Sequence, residues 1–259
     1  MNPVMSQIRK HRSIRKYEPR DVPEALLQEV LQAGIRASSS GNMQAYSIIV
    51  TRDPKLREKL YEPHFEQSMV REAPVLLTFC ADFHRMRSWL RLRDAPMNFD
   101  NPMSFMIAAI DAILVSQNVA LAAESVGLGI CYMGTTLANC DKIGDLLSCP
   151  SHVVPVVGFS LGYPAEDPEM RDRLPHDLLV HQETYRDRSD EEVLEGYRDR
   201  ESQGWNRYMS DPELRQRVEG AQVSNLAQVY TKLKYTRESH LGYSETVKKY
   251  LRRQGFVSG

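Results

Sequence analysis

One long apolar segment, Met103–Gly127, constrains the fold more than any other feature of the sequence. Asp111 and Glu124 interrupt it and leave only twelve uncharged residues between them. A membrane-spanning helix needs about eighteen or more apolar residues with few or no charges. The segment therefore predicts a long helix buried in the core of a protein that lies outside the membrane.

Shorter patterns predict the elements around this helix. Apolar residues at three-and-four spacing favour helices, continuous apolar runs bounded by turn residues favour buried strands, and proline and glycine mark their ends. Helices mixed with about four strands, without regular alternation, predict an α+β fold with a central mixed sheet flanked by helices. The predicted helices are Pro23–Ile35, a short one from Pro54, and Cys140–Leu147; the strands are Ser47–Thr51, Pro74–Phe83, Ile130–Gly134 and Val153–Leu161; and Arg85–Pro102 is a surface excursion.

The composition narrows the class of protein. The 259 residues are 42% hydrophobic and 26% charged, with a formal net charge of −1. These values exclude a disordered chain and a nucleic-acid coat, and they predict no nucleic-acid partner and no membrane partner. The four cysteines form no Cys-x-x-Cys pair, so we expect reduced thiols and no metal site. The default interpretation is a cytoplasmic enzyme.

Both ends of the chain carry unusual charge. Six basic residues in the first twenty, against only Glu18, are faintly similar to an organelle transit peptide, although no apolar segment typical of a secretory signal accompanies them. From Arg186 onward, charges of both signs alternate and apolar residues become sparse. This pattern indicates a solvated helical appendage.

Two sequence patterns suggest competing chemistries. Gly158-Phe159-Ser160-Leu161-Gly162 matches the Gly-x-Ser-x-Gly of serine hydrolases, but Pro164 and Pro168 stand where the helix after the nucleophile would begin. Gly127-Leu128-Gly129 follows a helix rather than a strand and has no third glycine at the required spacing, so a Rossmann dinucleotide site is not expected.

Two basic clusters remain, around His11-Arg12-Ser13-Ile14-Arg15 and around Arg171-Asp172-Arg173. Together they could bind a phosphate through charge-assisted hydrogen bonds, or they could be two unrelated surface patches.

The order of seven motifs resembles the nitroreductase superfamily, in the branch of the oxygen-insensitive NADPH nitroreductases and flavin reductase P. The resemblance covers residues 9 to about 185 and returns near the C-terminus. The motifs are His11–Arg15, Ser38–Gln44, Phe79–Phe83, Ala122–Gly129, Tyr132–Gly134, Leu161–Ala165 and Arg171–Pro175, followed by Glu238-Ser239 and Tyr250–Gly255.

The resemblance implies an intertwined homodimer with FMN at the subunit interface. It assigns His11, Arg12 and Ser13, with Arg171 and Arg173, to the phosphate and ribityl end. Arg15 would lie at the N1–O2 edge of the flavin ring, where positive charge stabilises the reduced anion. Ser39 of the partner subunit and Gln67 would bind the ring or its tail. The backbone of Tyr132, Met133, Gly134 and Thr135 would pass along the flavin near N5.

Departures from the family fall on the nicotinamide side. Thr135 stands where the family has a second glycine, and Glu238-Ser239-His240-Leu241 replaces a Glu-Ser-Arg-Pro segment. The resemblance makes Arg200 and Arg207 candidates for the NADPH 2′-phosphate, and Ser40 and His240 candidates for the substrate side. NADPH is favoured over NADH.

The sequence thus predicts an FMN-dependent NAD(P)H oxidoreductase of nitroreductase type, which reduces nitroaromatics, quinones or free flavin by ping-pong hydride transfer. The flavin carries the chemistry, so we expect no catalytic acid or base. Residues 1–185 would form the FMN-binding core, and residues 186–259 a helical excursion and tail on the nicotinamide and dimer side. The alternatives are a flavin sensor without turnover and a serine hydrolase at Ser160.

Overall fold

A computed structural model describes residues 2–257. Four strands, β1 Tyr46–Thr51, β2 Val75–Asp82, β3 Gly129–Tyr132 and β4 Val153–Gly162, form one sheet in the order β1-β2-β4-β3. The helices in chain order are α1 Pro3–Arg9, α2 Glu24–Ile35, α3 Pro54–Tyr61, α4 Met69–Glu72, α5 His84–Leu92, α6 Pro102–Ser125, α7 Thr135–Ala138, α8 Cys140–Leu146, α9 His176–Leu179, α10 Asp190–Ser210, α11 Pro212–Gly220, α12 Leu226–Val229 and α13 Arg237–Arg253. A short π-helix, Tyr230–Lys234, follows α12.

The sheet differs in one respect from the mixed sheet that we expected. All three strand pairings are antiparallel, and the parallel component is a single bridge between Ser13 and Ile130 at the β3 edge. The reason is that the N-terminal segment runs beside β3 over too short a length to form a strand. The α+β class and the four predicted strands are confirmed.

The long apolar segment forms α6, as predicted, and packs against the sheet and α2. Gly34 of α2 allows this close approach, because a Cβ there would lie 2.1 Å from Cγ2 of Val119. Among the described residues, α6 alone is long and apolar enough to cross a membrane, and half of its most apolar window is buried in the fold. One face of α6 nevertheless remains open.

That open face carries an apolar stripe, which we call the α6 stripe. Its members lie one helical turn apart, with the last two adjacent, and are each at least 41% exposed: Met103, Met106, Ile110, Ile113 and Leu114. A contiguous exposed apolar surface of this kind is typical of a protein–protein contact. The core helix is apolar nearly throughout, so its open face in the single chain is apolar as well.

Contacts divide the chain into two compact units. The first comprises residues 1–169 and 243–259, and the second residues 170–242. The first holds the sheet and three apolar clusters. The predicted division after residue 185 concerns binding roles and stays a prediction.

The second unit is more than the solvated appendage expected from its charges. It has a small core of its own, in which Val218, Val223, Leu226 and Val229 are buried. Each of its helices and turns supplies only one or two of these side chains, so no single segment shows an apolar face. The cluster becomes visible only when the helices pack together.

Candidate functional site

The basic N-terminal motif is fixed to the edge of the sheet. The backbone N–H of Ile14 donates to the carbonyl of Ile130 at 2.8 Å, beside the Ser13–Ile130 bridge. Gly129 permits this contact, because a Cβ there would lie 2.6 Å from the Ile14 side chain. The motif is therefore part of the folded core.

The imidazole of His11 is tied to the core helix. Its Nδ1 lies 2.5 Å from Oε1 of Glu124, one of the two charges that interrupt the apolar segment. An acidic side chain near the C-terminal end of a helix opposes the helix dipole, and an ion pair with His11 would offset that cost. The two predicted features, the motif and the charged residue, are thus brought together.

Arg12 and Arg15 lie beside two acidic residues of the loop after β4. Arg12 forms an ion pair with Asp167, a carboxylate that is 86% exposed. Oε1 of Glu166 accepts the backbone N–H of Arg15 at 2.5 Å. Within residues 2–257, the buried Nε of Arg12 has no hydrogen-bond partner. A cation with a spare donor and an exposed counter-ion is suited to exchange that counter-ion for a phosphate.

The serine-rich loop after α2 is organised by Asp111. Oδ2 of Asp111 accepts from the Ser39 hydroxyl at 2.6 Å and from the backbone N–H of Ala45 at 3.2 Å, and its Oδ1 accepts from the backbone N–H of Ser40 at 2.9 Å. The Ser39 hydroxyl in turn accepts from the backbone N–H of Gln44 at 2.7 Å. Asp111 itself is fully buried. This role of Asp111 was not predicted, although an aspartate in the middle of an apolar helix was a signal for it.

A second polar cluster joins two predicted residues through one that was missed. Nδ1 of His64 lies 2.8 Å from the Thr135 hydroxyl oxygen, and His64 is 1% exposed. Nε2 of Gln67 donates to the backbone carbonyl of His64 at 2.8 Å and faces the same Thr135 oxygen at 3.4 Å. Nothing in the sequence marked His64, because the 71 positions separating it from Thr135 hide the contact.

The segment from Tyr132 to Gly134 leaves β3 in a fixed conformation. The backbone N–H of Met133 donates to the carbonyl of Gly158 at 2.8 Å. The Tyr132 hydroxyl donates to Oγ of Ser116 at 3.0 Å, and burial raises the pKa of Tyr132 to about 12. Met133 is buried, whereas Gly134 is exposed. The backbone at Gly134 is thus the part of this segment that a ligand can approach.

The interpretation of Ser160 as a hydrolase nucleophile is wrong. Ser160 lies inside β4 with 0% exposure, and its Oγ is 2.7 Å from the Tyr17 hydroxyl. A nucleophile elbow requires an exposed hydroxyl on a sharp strand-to-helix turn beside a general base. Ser160 occupies a buried strand position instead, with a phenol as its partner.

In the second unit, the arginines of the Arg-Asp-Arg motif are exposed. Nη1 of Arg173 donates to the backbone carbonyls of Asp172, at 2.9 Å, and Arg171, at 3.2 Å. These bonds order the turn and use only Nη1 of the exposed Arg173 guanidinium. An exposed, preorganised guanidinium is the group expected for a phosphate contact.

The two nicotinamide-side arginines meet at Asp172. Nη1 of Arg200 lies 3.0 Å from Oδ2 of Asp172, and Nη1 of Arg207 lies 3.9 Å from its Oδ1. The Asp172 side chain is only 7% exposed, and Arg200 also donates to the Tyr230 hydroxyl at 2.9 Å. Both candidate phosphate ligands therefore already share one buried carboxylate.

His240, the predicted replacement for a family arginine, is exposed in α13. Its ring contacts the Tyr235 ring edge-on at a centroid distance of 5.6 Å. Ser40, the other substrate-side candidate, donates its backbone N–H to Asp111 and begins a short 3₁₀ turn. Their assignment to the substrate pocket stays a prediction.

We expect His64 to make stability dependent on pH. Burial lowers the pKa of His64 from 6.5 to about 4. The unfolded chain therefore binds a proton more readily than the folded one, and stability falls as the pH decreases from 6.5 towards 4. The expected loss between about pH 6.5 and pH 5 is about 1.5 kcal/mol from this group.

Urea unfolding at several pH values measures this loss. Other groups titrate in the same range, so the relevant quantity is the difference between the wild-type protein and His64→Asn, which lacks the titrating ring. Identical pH profiles for the two proteins would contradict a buried neutral imidazole at this position.

The Nitroreductase family model matches residues 8–163 of the chain. An FMN reductase [NAD(P)H] of Bacillus subtilis is 36% identical over 187 residues, which cover 71% of this chain and 75% of that protein. An oxygen-insensitive NADPH nitroreductase of Salmonella typhimurium is 35% identical over 197 residues, which cover 76% of this chain and 80% of that protein.

The fold has the same relatives. A solved structure from Bacteroides fragilis, described as a candidate oxidoreductase, superposes with a TM-score of 0.90 and 42% sequence identity. The match covers 98% of this chain and 100% of that one. The resemblance therefore extends beyond residue 185 and includes the second unit.

Proposed function

The chain belongs to the nitroreductase family, and from that premise we propose how its own residues carry out the family's chemistry. It is an NAD(P)H-dependent flavin oxidoreductase with FMN as its cofactor. The observation that carries the proposal is the fixed basic motif at the sheet edge, with a spare guanidinium donor on Arg12. Bound flavin supplies the hydride chemistry, and the protein binds and orients it.

We propose that the FMN phosphate is held by Arg12 with His11 and Ser13, and by Arg171 and Arg173. The exposed guanidinium of Arg173 and the exchangeable Arg12–Asp167 pair support this assignment, because phosphate suits planar, charge-assisted donors. Arg15 would then lie near the N1–O2 edge of the ring. The residues present fit the cofactor in their chemistry, because each of the two clusters offers guanidinium donors of the kind that a phosphate accepts.

The ring itself would lie along the backbone of the exposed Gly134 and the half-buried Thr135, with Gln67 beside it. Gln67 and Thr135 face each other, which supports their assignment to a common ligand. Ser39 is proposed to contact the partner's flavin. Since its hydroxyl hydrogen is committed to Asp111, Ser39 would meet that flavin as an acceptor or through its backbone.

We propose that NAD(P)H and a small-molecule acceptor use the same face of the flavin in turn. The acceptors would be nitroaromatics, quinones or free flavin. Arg200 and Arg207 would meet the 2′-phosphate of NADPH, but Asp172 already neutralises one of their two charges. The preference for NADPH over NADH should therefore be modest.

The proposed assembly is a homodimer. The α6 stripe supports it, since exposed isoleucines and methionines on a core helix are costly to leave in water.

We also propose a cytoplasmic location, which the incorporation of the basic N-terminal motif into the sheet supports.

Anaerobic titration with NADPH tests the proposed function. The purified protein should be yellow, and stoichiometric NADPH should bleach the flavin absorption. NADH should bleach it as well, with a lower second-order rate constant. A yellow protein that neither nucleotide bleaches would favour a flavin sensor, and a colourless one would contradict the cofactor assignment.

Arg173→Ala is expected to weaken FMN binding roughly ten- to a hundredfold, because one charge-assisted contact is worth about 1.5–3 kcal/mol. Fluorescence quenching of FMN by the apoprotein measures the dissociation constant. Arg217→Ala, which removes an exposed arginine from α11 in the same unit, is the matched control. Equal affinities for the two variants would contradict the placement of the phosphate.

A further inference from the structure

The hydrogen bonds around Thr135 define the direction of its hydroxyl group. The contact with the backbone carbonyl of His64 defines which way round the Gln67 amide lies. The carbonyl oxygen can only accept, so the amide atom 2.8 Å from it is the nitrogen Nε2 and not the oxygen. The second hydrogen on that nitrogen faces the Thr135 oxygen at 3.4 Å. Gln67 therefore occupies one lone pair of the Thr135 hydroxyl as a donor.

His64 approaches the same oxygen from the protein interior. Its Nδ1 lies 2.8 Å from Oγ1 of Thr135, which is short enough for a hydrogen bond in either direction. If Nδ1 carries the ring proton, His64 also donates, both lone pairs of the threonine oxygen are filled, and its own O–H hydrogen is directed elsewhere. If Nδ1 is bare, the threonine hydrogen is consumed by His64.

The chain holds His64 and Gln67 in place by an uncommon backbone turn. Between them, Phe65 and Glu66 both adopt the left-handed region, with φ of 57° and 54°, although neither is glycine. Consecutive non-glycine residues in this region are disfavoured and persist where the surrounding structure imposes them, often at functional sites. With this turn, Nδ1 of His64 and Nε2 of Gln67 both face the Thr135 hydroxyl oxygen. The backbone carbonyl of His64 accepts from the same Nε2 of Gln67.

We propose that His64 is a positioning residue that, together with Gln67, orients the Thr135 hydroxyl as a hydrogen-bond donor to the oxidised flavin. This inference rests on the proposed function, in which Thr135 lies beside the ring. An oxidised flavin offers acceptor atoms N1, N5, O2 and O4 and only one N–H, so a threonine with both lone pairs filled suits it. The tautomer with hydrogen on Nδ1 is the one required.

The burial of His64 keeps this arrangement stable over the working range of pH. Its pKa is lowered to about 4, because the buried ring is poorly solvated when charged. A neutral imidazole carries a single ring hydrogen, so the choice of tautomer, rather than protonation, sets the direction of the hydrogen bond.

The first test is ¹⁵N NMR of histidine-labelled holoprotein, which reads the tautomer directly without any substitution. The proposal requires the Nδ1–H form of His64 when FMN is bound. The Nε2–H form would overturn it. The apoprotein provides the comparison. A histidine with a purely structural role is not expected to take the Nδ1–H form only when the flavin is present.

The second test is a double-mutant cycle on FMN affinity, measured by fluorescence quenching with the apoprotein. Thr135→Val and His64→Leu should each raise the dissociation constant about five- to tenfold, as expected for one hydrogen bond, and the double variant should raise it no further. His64→Asn, whose amide can donate from nearly the same place, should restore affinity to within about twofold of the wild type.

Additive effects of the two substitutions, or no rescue by asparagine, would overturn the proposal. Thermal melting of each apoprotein variant identifies any that fail to fold, and Thr135→Ser, which keeps the hydroxyl, is the control for Thr135→Val. If FMN binds the wild-type protein and NADPH bleaches it, but Thr135→Val binds FMN normally, this inference fails while the proposed function stands. If the wild-type protein binds no FMN, the proposed function fails first.

Discussion

Asp111→Ala should lower the free energy of unfolding by about 3 kcal/mol. The substitution removes the acceptor for the Ser39 hydroxyl and for two backbone N–H groups, of which the Ala45 group is almost completely buried. A buried donor without a partner costs about 1–3 kcal/mol. The alanine introduced at the fully buried position 111 offers no replacement acceptor. The gain from no longer burying a carboxylate offsets part of this cost. Urea unfolding followed by circular dichroism measures the change.

The same substitution should disorder the serine-rich loop. Hydrogen exchange of the Ser40 and Ala45 amides should accelerate far more in Asp111→Ala than in Ser116→Ala, which removes another buried polar group from the same helix. Asp111→Asn keeps one acceptor oxygen, so it should fall between the wild type and Asp111→Ala. A stability loss no larger than that of Ser116→Ala would contradict the organising role of Asp111.

Ile110→Arg is expected to convert the proposed homodimer into a monomer at micromolar concentration. Ile110 lies in the middle of the α6 stripe and is 48% exposed in the single chain. A guanidinium placed in an apolar contact between subunits is desolvated, which should raise the dimer dissociation constant by a factor of about a hundred or more. Sedimentation velocity measures the assembly state.

FMN affinity should decrease together with dimerisation, since Ser39 of the partner is proposed to contact the flavin. Gln216→Arg, at an exposed position of α11, adds the same charge and is the control. If Ile110→Arg sediments as the wild type does, the α6 stripe is not the contact between subunits. A wild-type protein that is monomeric at these concentrations would contradict the homodimer itself.

Local chemistry explains which elements the sequence could predict. Pro23 and the three-and-four spacing that follows it indicate α2, and the short, strongly apolar and valine-rich run of β4 favours a buried strand. The motif His11–Arg15 could be identified because its residues are adjacent in the chain. What it binds to could not, since Ile130 and Glu124 lie more than one hundred positions away.

The candidate site was predictable to the same extent. Gln67 and Thr135 were identified through the family resemblance, and the structure brings them together through His64, which has no local signature. Arg200 and Arg207 were singled out for their charge, yet their shared partner Asp172 lies 28 positions before Arg200. Residue type indicates what a side chain can bind, and only the fold decides which partners compete for it.

The sequence by itself determined the class of fold, the approximate extent of most helices and strands, and the resemblance to a family, because these follow from local periodicity and from the order of short motifs along the chain. Tertiary structure alone decided that Asp111 organises a loop, that Ser160 is buried and inert, that one face of α6 stays apolar and open, and that His64 meets Thr135. The physical reason is burial. Whether a polar group is a ligand, a nucleophile or a structural partner depends on its solvation and its neighbours, and both are set by chain segments remote in sequence.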